Sequence, residues 1–437
     1  MIPAARIAAS IEVLADIFEQ RRPAPDALKD WGLKHRFAGS SDRAAIAGLV
    51  YDALRRRASS AFVMGEETPR AVMLGMLRLE RKFSTDAIAG LFDGSRFAPQ
   101  PLSEAERAKL EAADLAGAPA HIAGDYPEWL DPHFATVFGE ERAAQGAALA
   151  SRAPLDLRVN TLKAEREAVQ SELAEYNAAP SRWSPSGLRI VILPDAKNPA
   201  LQSDPVFLKG QIEIQDEGSQ LAALLSGAKP GEQVIDLCAG GGGKTLALSA
   251  MMQNQGQIFA TDNDKRRLAP IHARLERAGA RNVQVLTPRG APANDAHLAG
   301  LDGKADLVLI DAPCSGTGSW RRNPDAKWRM RPGALEIRRR EQAGLLDRAV
   351  ALLKPGGRIV YITCSVLDEE NGAQIREFLV RHPAMTLTPP AAMAQDALGE
   401  RGLLFARAAR LSAEGLAMTP LSTDTDGFFV SMLVSPV

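Results

Sequence analysis

The sequence predicts an α/β protein. A doubly wound, mostly parallel sheet occupies the second half of the chain, behind a small α/β unit and an all-helical N-terminal region. Three observations predict it. From Gln233 onward the short apolar strands "QVIDL", "QIFATD", "VQVL", "ADLVLIDAP" and "GRIVYITCS" are separated mostly by helical stretches, the pattern of a sheet covered on both faces. Before them, "LDLRVNT", "KAEREAVQSELAEY" and "GLRIVIL" read as strand, helix and strand. The first 124 residues carry apolar residues at helical spacing.

Within the helical region, "RAAIAGLVYDALRRR" (43–57) places Ile46, Leu49, Val50 and Leu54 on one face. It gathers arginines at its C-terminal end, where the helix dipole favours cations. "TPRAVMLGMLRLERKF" repeats the pattern, with Thr68 as N-cap and Pro69 at the first helical position. The Gly/Pro-rich "LAGAPAHIAGDYPEWL" then marks a boundary. The expected domains are a helical one over 1–124, a small α/β one over 125–210 and the doubly wound one over 211–437; a chain of 437 residues suits two or three.

Composition excludes several classes. Hydrophobic content of 46% and charged content of 24% describe a soluble globular chain. Charges break every apolar run short of a membrane span, and Arg6, Glu12 and Asp16 stand where a signal peptide would be apolar; the expectation is a cytoplasmic protein without membrane association. Three cysteines, an odd number, argue against a disulfide framework, and six scattered histidines without a CxxC pair leave no metal site. With a net charge of −1, a basic footprint for nucleic acid has to be local.

In doubly wound sheets ligands bind beyond the carboxyl ends of the strands. The distinctive residues collect there. "DLCAGGGGKT" (236–245) follows the first strand and invites comparison with a phosphate-binding loop, but the glycine that pattern requires is Cys238. The dinucleotide pattern also misses, because its third glycine is Thr245. Asp262 closes the second strand. A carboxylate there suits the two hydroxyls of a ribose, or it caps the helix opened by "DNDKRRL". Cys314 and Cys364 end two further strands, flanked by small or polar residues. A lone buried cysteine is commonly a small hydrophobe, whereas two on the ligand side point to chemistry. Cys238 lacks that support and reads as turn packing or a pocket wall. Residues 319–340, "SWRRNPDAKWRMRPGALEIRRR", hold eight Arg or Lys against two acids. They suit either a solvated helix face or a nucleic-acid surface. Arg321, Arg322, Lys327 and Arg329, interleaved with Trp320 and Trp328, favour the second.

Taken together, "VNT", "GQIEIQDEGSQLAALL", "DLCAGGGGKT", "DAPCSGTGSWRRNPDAKW", "YITCSVLDEENG" and "DGFFVSML" resemble, in order, the RsmB-type (Fmu/Sun) RNA cytosine-5 methyltransferases. The helical N-terminus is similar to the NusB-like RNA-binding domain of some members. The resemblance implies a Rossmann-like class I methyltransferase domain, S-adenosylmethionine as methyl donor and RNA as partner, with rRNA favoured over tRNA; the chain itself is expected to be a monomer. It implies that Cys238, Ala239, Gly240, Gly241, Gly242, Gly243, Lys244 and Asp262 hold the methyl donor, with Asp262 on its ribose. Asp311 would serve both donor and target base, Cys364 would be the nucleophile, and Cys314 would assist product release. Two positions depart from the family. Its loop proline is Gly241 here, and its acid near the adenine falls at Pro288 or Arg289, with Asp295 further along. The competing expectation is a catalytically weak RNA-binding or ribosome-assembly factor that keeps the fold.

Overall fold

The structure, a computed structural model, describes residues 1–192, 199–288 and 295–437. It divides into two compact units. One is helical and comprises Met1–Arg152 and Trp320–Arg331. The other is α/β and comprises Ala153–Val191, Pro199–Ser319 and Pro332–Val437. Among the described residues no helix is long and apolar enough to cross a membrane.

In the helical unit, helices Pro3–Gln20, Ser40–Arg55 and Pro69–Leu79 bury Ile7, Val13, Leu14, Ile46, Val50, Leu54, Val72 and Leu74 in one core. Thr68 caps the third by accepting the Ala71 N–H at 3.2 Å, with Pro69 at its first position. Arg55 at the end of the second helix and Arg56 and Arg57 just beyond it do more than answer its dipole. Arg55 donates to Asp52 at 3.0 Å, Arg56 pairs with Glu80 at 2.7 Å and Arg57 with Glu67 at 2.7 Å.

The α/β unit contains two sheets. The small one pairs strands β1 (Leu155–Val159), β2 (Ala179–Pro180), β3 (Gly187–Ile190) and β4 (Ile212–Ile214) in the order β2-β3-β1-β4, all antiparallel. The large one holds β5 (Gln233–Asp236), β6 (Gln257–Ala260), β7 (Val283–Val285), β8 (Ala305–Asp311), β9 (Leu353–Thr363), β10 (Thr386–Leu387), β11 (Arg410–Leu411), β12 (Leu416–Met418) and β13 (Phe428–Val434). Its order is β11-β12-β13-β9-β8-β5-β6-β7, with β10 on β13. The five strands β5 to β9 are parallel, as their apolar runs require: Leu307 to Ile310 and Ile359 to Ile362 are buried throughout. From β9 outward the sheet is antiparallel. The chain winds from β5 to β7 in one direction and resumes with β8 on the other side of β5. The crevice at the carboxyl ends of β5 and β8 is therefore the topological switch point.

Candidate active site

The loop from β5 to helix Gly243–Met251 hangs from its neighbours by backbone bonds. Leu237 N–H donates to Leu309 at 3.0 Å and Ala239 N–H to Thr261 at 2.8 Å. Gly240 and Gly242 adopt φ of +50° and +84°, and a Cβ on Gly242 would meet Ile271 at 2.6 Å, so no other residue fits that turn. Two arginines that sequence reasoning missed hold the loop carbonyls. Arg274 Nη1 donates to Gly241 at 2.7 Å and is braced by Glu213, while Arg158 Nη1 on β1 donates to Gly243 at 2.8 Å. A single arginine in a strand or helix carries no local signal of such a role. Beneath the loop lies Asp236, fully buried, its Oδ2 accepting from Thr245 Oγ1 at 2.7 Å; burial pushes its carboxyl up to about 7. Cys238 packs against the apolar core, and burial first, then the charges of Asp236, Asp262 and Asp311, pushes its thiol well up. It is poorly suited to attack.

Lys244 leaves the loop toward β8, where its Nζ pairs with Asp311 Oδ2 at 2.6 Å; Lys244 is buried and the Asp311 side chain is 34% exposed. Asp262, buried at the end of β6, accepts the Gly240 N–H at 3.0 Å on one oxygen and the Asp264 N–H at 2.9 Å on the other. It does not cap the helix that follows. The cap of Lys265–Leu268 is Asp264, which accepts from Arg266 N–H at 2.8 Å. Pro288 is half-buried, while Arg289 and the side chain of Asp295 lie outside the described residues.

The two remaining cysteines come together. β8 and β9 are parallel neighbours in which Asp311 opposes Ile362, so the turns that follow them lie side by side. Cys314 Sγ lies 3.3 Å from Cys364 Sγ. The hydrogen bond to Cys364, then burial, then the charges of Cys364 and Glu370 push the Cys314 thiol well up. The turns are knitted by hydroxyls: Ser365 Oγ lies 3.2 Å from Ser315 Oγ and 3.1 Å from Thr317 Oγ1, and Thr317 Oγ1 accepts the Val366 N–H at 2.9 Å. Gly427 N–H donates to Gly318 at 2.8 Å, and a Cβ on Gly318 would meet the Gly427 oxygen at 2.1 Å. Two distant stretches of the resemblance, "DAPCSGTG" and "DGFFVSML", thus cross backbone to backbone.

The basic segment departs from expectation. Trp320–Arg331 belongs to the helical unit, and Arg321 and Lys327, expected to face RNA, are buried. Lys327 is 0% exposed; its Nζ donates to the Arg55 carbonyl at 2.9 Å and the Asp125 carbonyl at 2.5 Å, and burial pulls its amine down to about 7. The tryptophans are not free platforms either. Trp320 is buried with its ring 6.0 Å from that of Phe134, and Trp328 Nε1 donates to Leu54 at 2.7 Å. Trp320 is a core residue and Trp328 is half-buried, and of the cations between them Arg321 and Lys327 serve the fold. Arg322 is half-buried, and exposed Arg329 pairs with Asp325 at 3.1 Å.

Comparison with known proteins bears on the whole arrangement. Residues 223–434 match the family model for 16S rRNA methyltransferase RsmB/F, and residues 126–192 the RsmF/B-like, ferredoxin-like domain. "Probable ribosomal RNA small subunit methyltransferase B" of Synechocystis sp. is 30% identical over 402 residues, covering 85% of this chain and 88% of its own. Ribosomal RNA small subunit methyltransferase F of Cronobacter sakazakii is 35% identical over 284 residues, 63% of this chain and 56% of its own. The crystal structure of a methyltransferase homolog protein from Pyrococcus horikoshii shares 28% identity at a TM-score of 0.57, over 72% of this chain and 97% of that one. With a Rossmann-like sheet, a glycine loop at its switch point and relatives that cover most of its length, the chain belongs to the RsmB/F family of 16S rRNA methyltransferases.

Proposed function

We propose that the chain is an S-adenosylmethionine-dependent rRNA cytosine C5-methyltransferase that works through a covalent adduct between Cys364 and C6 of the target base. The observation that carries this reading is the pair of thiols 3.3 Å apart on neighbouring strand ends, where amino-group or small-molecule methylation needs no thiol. The crevice fits the methyl donor. The loop presents four glycines, two of them at positive φ, so backbone rather than side chains lines its mouth, and Asp262 ends the next strand beside it. Residues Cys238 to Lys244, Asp262 and Asp311 would hold S-adenosylmethionine, which supplies an electrophilic methyl group.

Cytosine C5 is a poor nucleophile by itself. Addition of the Cys364 thiolate to C6 makes it an enamine carbon able to take that methyl. Asp311 would accept a hydrogen bond from N3 as that atom takes up a proton, stabilising charge developing on the ring, and N3 gives the proton back when Cys364 leaves. Cys314, once its own proton has passed to solvent, accepts the C5 proton; the C6–S bond breaks, and Cys364 leaves as thiolate. The raised thiol of Cys314 suits both duties, since it stays protonated while its neighbour attacks and its thiolate is the stronger base afterwards. The helical unit would serve as the NusB-like RNA-binding module.

The test is the fate of the adduct. Cys364→Ala should abolish both methyl transfer and any protein–RNA species that survives denaturing electrophoresis. Cys314→Ala should accumulate that species when RNA and S-adenosylmethionine are supplied, and the double variant should show none. An adduct with Cys364→Ala and none with Cys314→Ala would reverse the roles. No adduct and no activity with the unmodified protein on any RNA would favour a binding or assembly factor.

A further inference from the structure

Two like thiols at van der Waals distance need something to tell them apart, since both end parallel strands at the same crevice. The asymmetry lies behind Cys314. Glu370 ends the short helical turn Asp368–Glu370 that follows the Cys364 turn, and it is fully buried. Its Oε1 accepts the Ser315 N–H at 2.8 Å and Gln342 Nε2 at 3.1 Å, and its Oε2 accepts Ser315 Oγ–H at 2.5 Å. Every one of these neighbours donates. Gln342 also donates to the Pro313 carbonyl at 3.0 Å, so both residues flanking Cys314 are held by the same carboxylate and amide. The main chain of Glu370 is fixed in turn by Tyr361 OH, which donates to its carbonyl at 2.7 Å.

We propose, resting on the methyltransferase reading, that Glu370 is a positioning residue: it locks the Cys314 turn and, through its buried negative charge, keeps Cys314 a thiol so that Cys364 supplies the attacking thiolate. Glu370 binds the residue next to Cys314 directly, whereas its link to the Cys364 turn runs through hydroxyls. Among the charges acting on Cys314, that of Glu370 follows that of Cys364 itself. The carboxylate has one further consequence. By raising the proton affinity of Cys314, it makes that thiolate, once formed, a stronger base toward the C5 proton.

The experiment reads each cysteine in the free protein. Alkylation by iodoacetamide is followed by peptide mass spectrometry as a function of pH, because only the thiolate reacts. In the unmodified protein the midpoint for Cys364 should lie below that for Cys314. In Glu370→Gln, which keeps the shape and removes the charge, the Cys314 midpoint should fall by about one unit, roughly a tenfold gain in rate at fixed pH below it, with Cys364 moving less. Glu370→Asp, which keeps the charge, should restore the slow Cys314. A Cys314 midpoint below that of Cys364 in the unmodified protein overturns the proposal without any variant, even if Glu370→Gln does not fold. Unchanged midpoints in a folded Glu370→Gln overturn it as well. Neither RNA nor methyl donor is used, so failure here is distinct from failure of the adduct experiment.

Discussion

Lys244 Nζ lies 2.6 Å from Asp311 Oδ2, so the cation that ends the glycine loop neutralises the carboxylate that ends β8. The pair spans the switch point and ties the glycine-loop side of the crevice to the strand that delivers Cys314. Two groups engaged in one ion pair act as a unit, so their substitutions should not add. Lys244→Met and Asp311→Asn are each expected to slow methyl transfer by about a hundredfold, the usual scale for loss of one preorganised electrostatic group. The double variant should be little slower than the worse single one. Strict multiplication of the two effects in single-turnover rates would mean that the groups act independently.

Asp262 ties the glycine loop to the end of β6. It accepts the Gly240 N–H, and the proposed ribose would compete for or share the same oxygens. Asp262→Ala should weaken S-adenosylmethionine binding by about ten- to a hundredfold, the worth of a charged hydrogen bond of roughly 1.5–3 kcal/mol. RNA affinity should hardly change. Equal binding of the methyl donor by the variant in calorimetry would leave Asp262 as a tie for the turn alone.

These two predictions rest on residues that were legible in the sequence, because strand ends in a doubly wound sheet follow from apolar runs and the ligand side follows from topology. Asp262, Asp311, Cys314 and Cys364 fall where the pattern puts them. What stayed hidden were hydrogen bonds between elements far apart in the chain: Arg158 on Gly243, Arg274 on Gly241, Glu370 on Ser315. No spacing rule reveals them. The basic segment misled for the same reason. Whether a lysine between two tryptophans faces water or two buried carbonyls depends on a partner helix far earlier in the chain, with Lys327 and Arg55 separated by 272 positions.

Salt dependence separates the cations of that segment. Arg322→Ala with Arg329→Ala should weaken RNA binding and flatten the slope of log affinity against log salt, by about one unit for each phosphate left without its cation. Lys327→Met should leave that slope unchanged and instead destabilise the helical unit by about 3 kcal/mol, since two buried carbonyls lose their donor. A flattened slope with Lys327→Met in a folded protein would mean that this amine does reach RNA.

Asp236 gives the pH dependence. Its carboxyl is raised to about 7, first by burial, while Thr245 and Lys244 act in the opposite direction and Asp311 adds to the rise. An unfolded aspartate titrates at about 3.9, so between roughly pH 4 and pH 7 the folded state holds a proton that the unfolded state has released. Stability therefore falls as pH rises through that window, by an order of ~4 kcal/mol in full, and no further loss from this group follows above it. Asp236→Asn keeps an acceptor for the Thr245 hydroxyl and carries no such proton. Followed from pH 5 to pH 8, the urea midpoint of the variant should gain steadily on that of the unmodified protein up to about pH 7, then level off. Titrations of groups not coupled to Asp236 are common to both proteins and cancel in the difference. Parallel curves from pH 5 to pH 8 would mean that Asp236 is ionised throughout, with the buried cation of Lys244 rather than a proton balancing its charge.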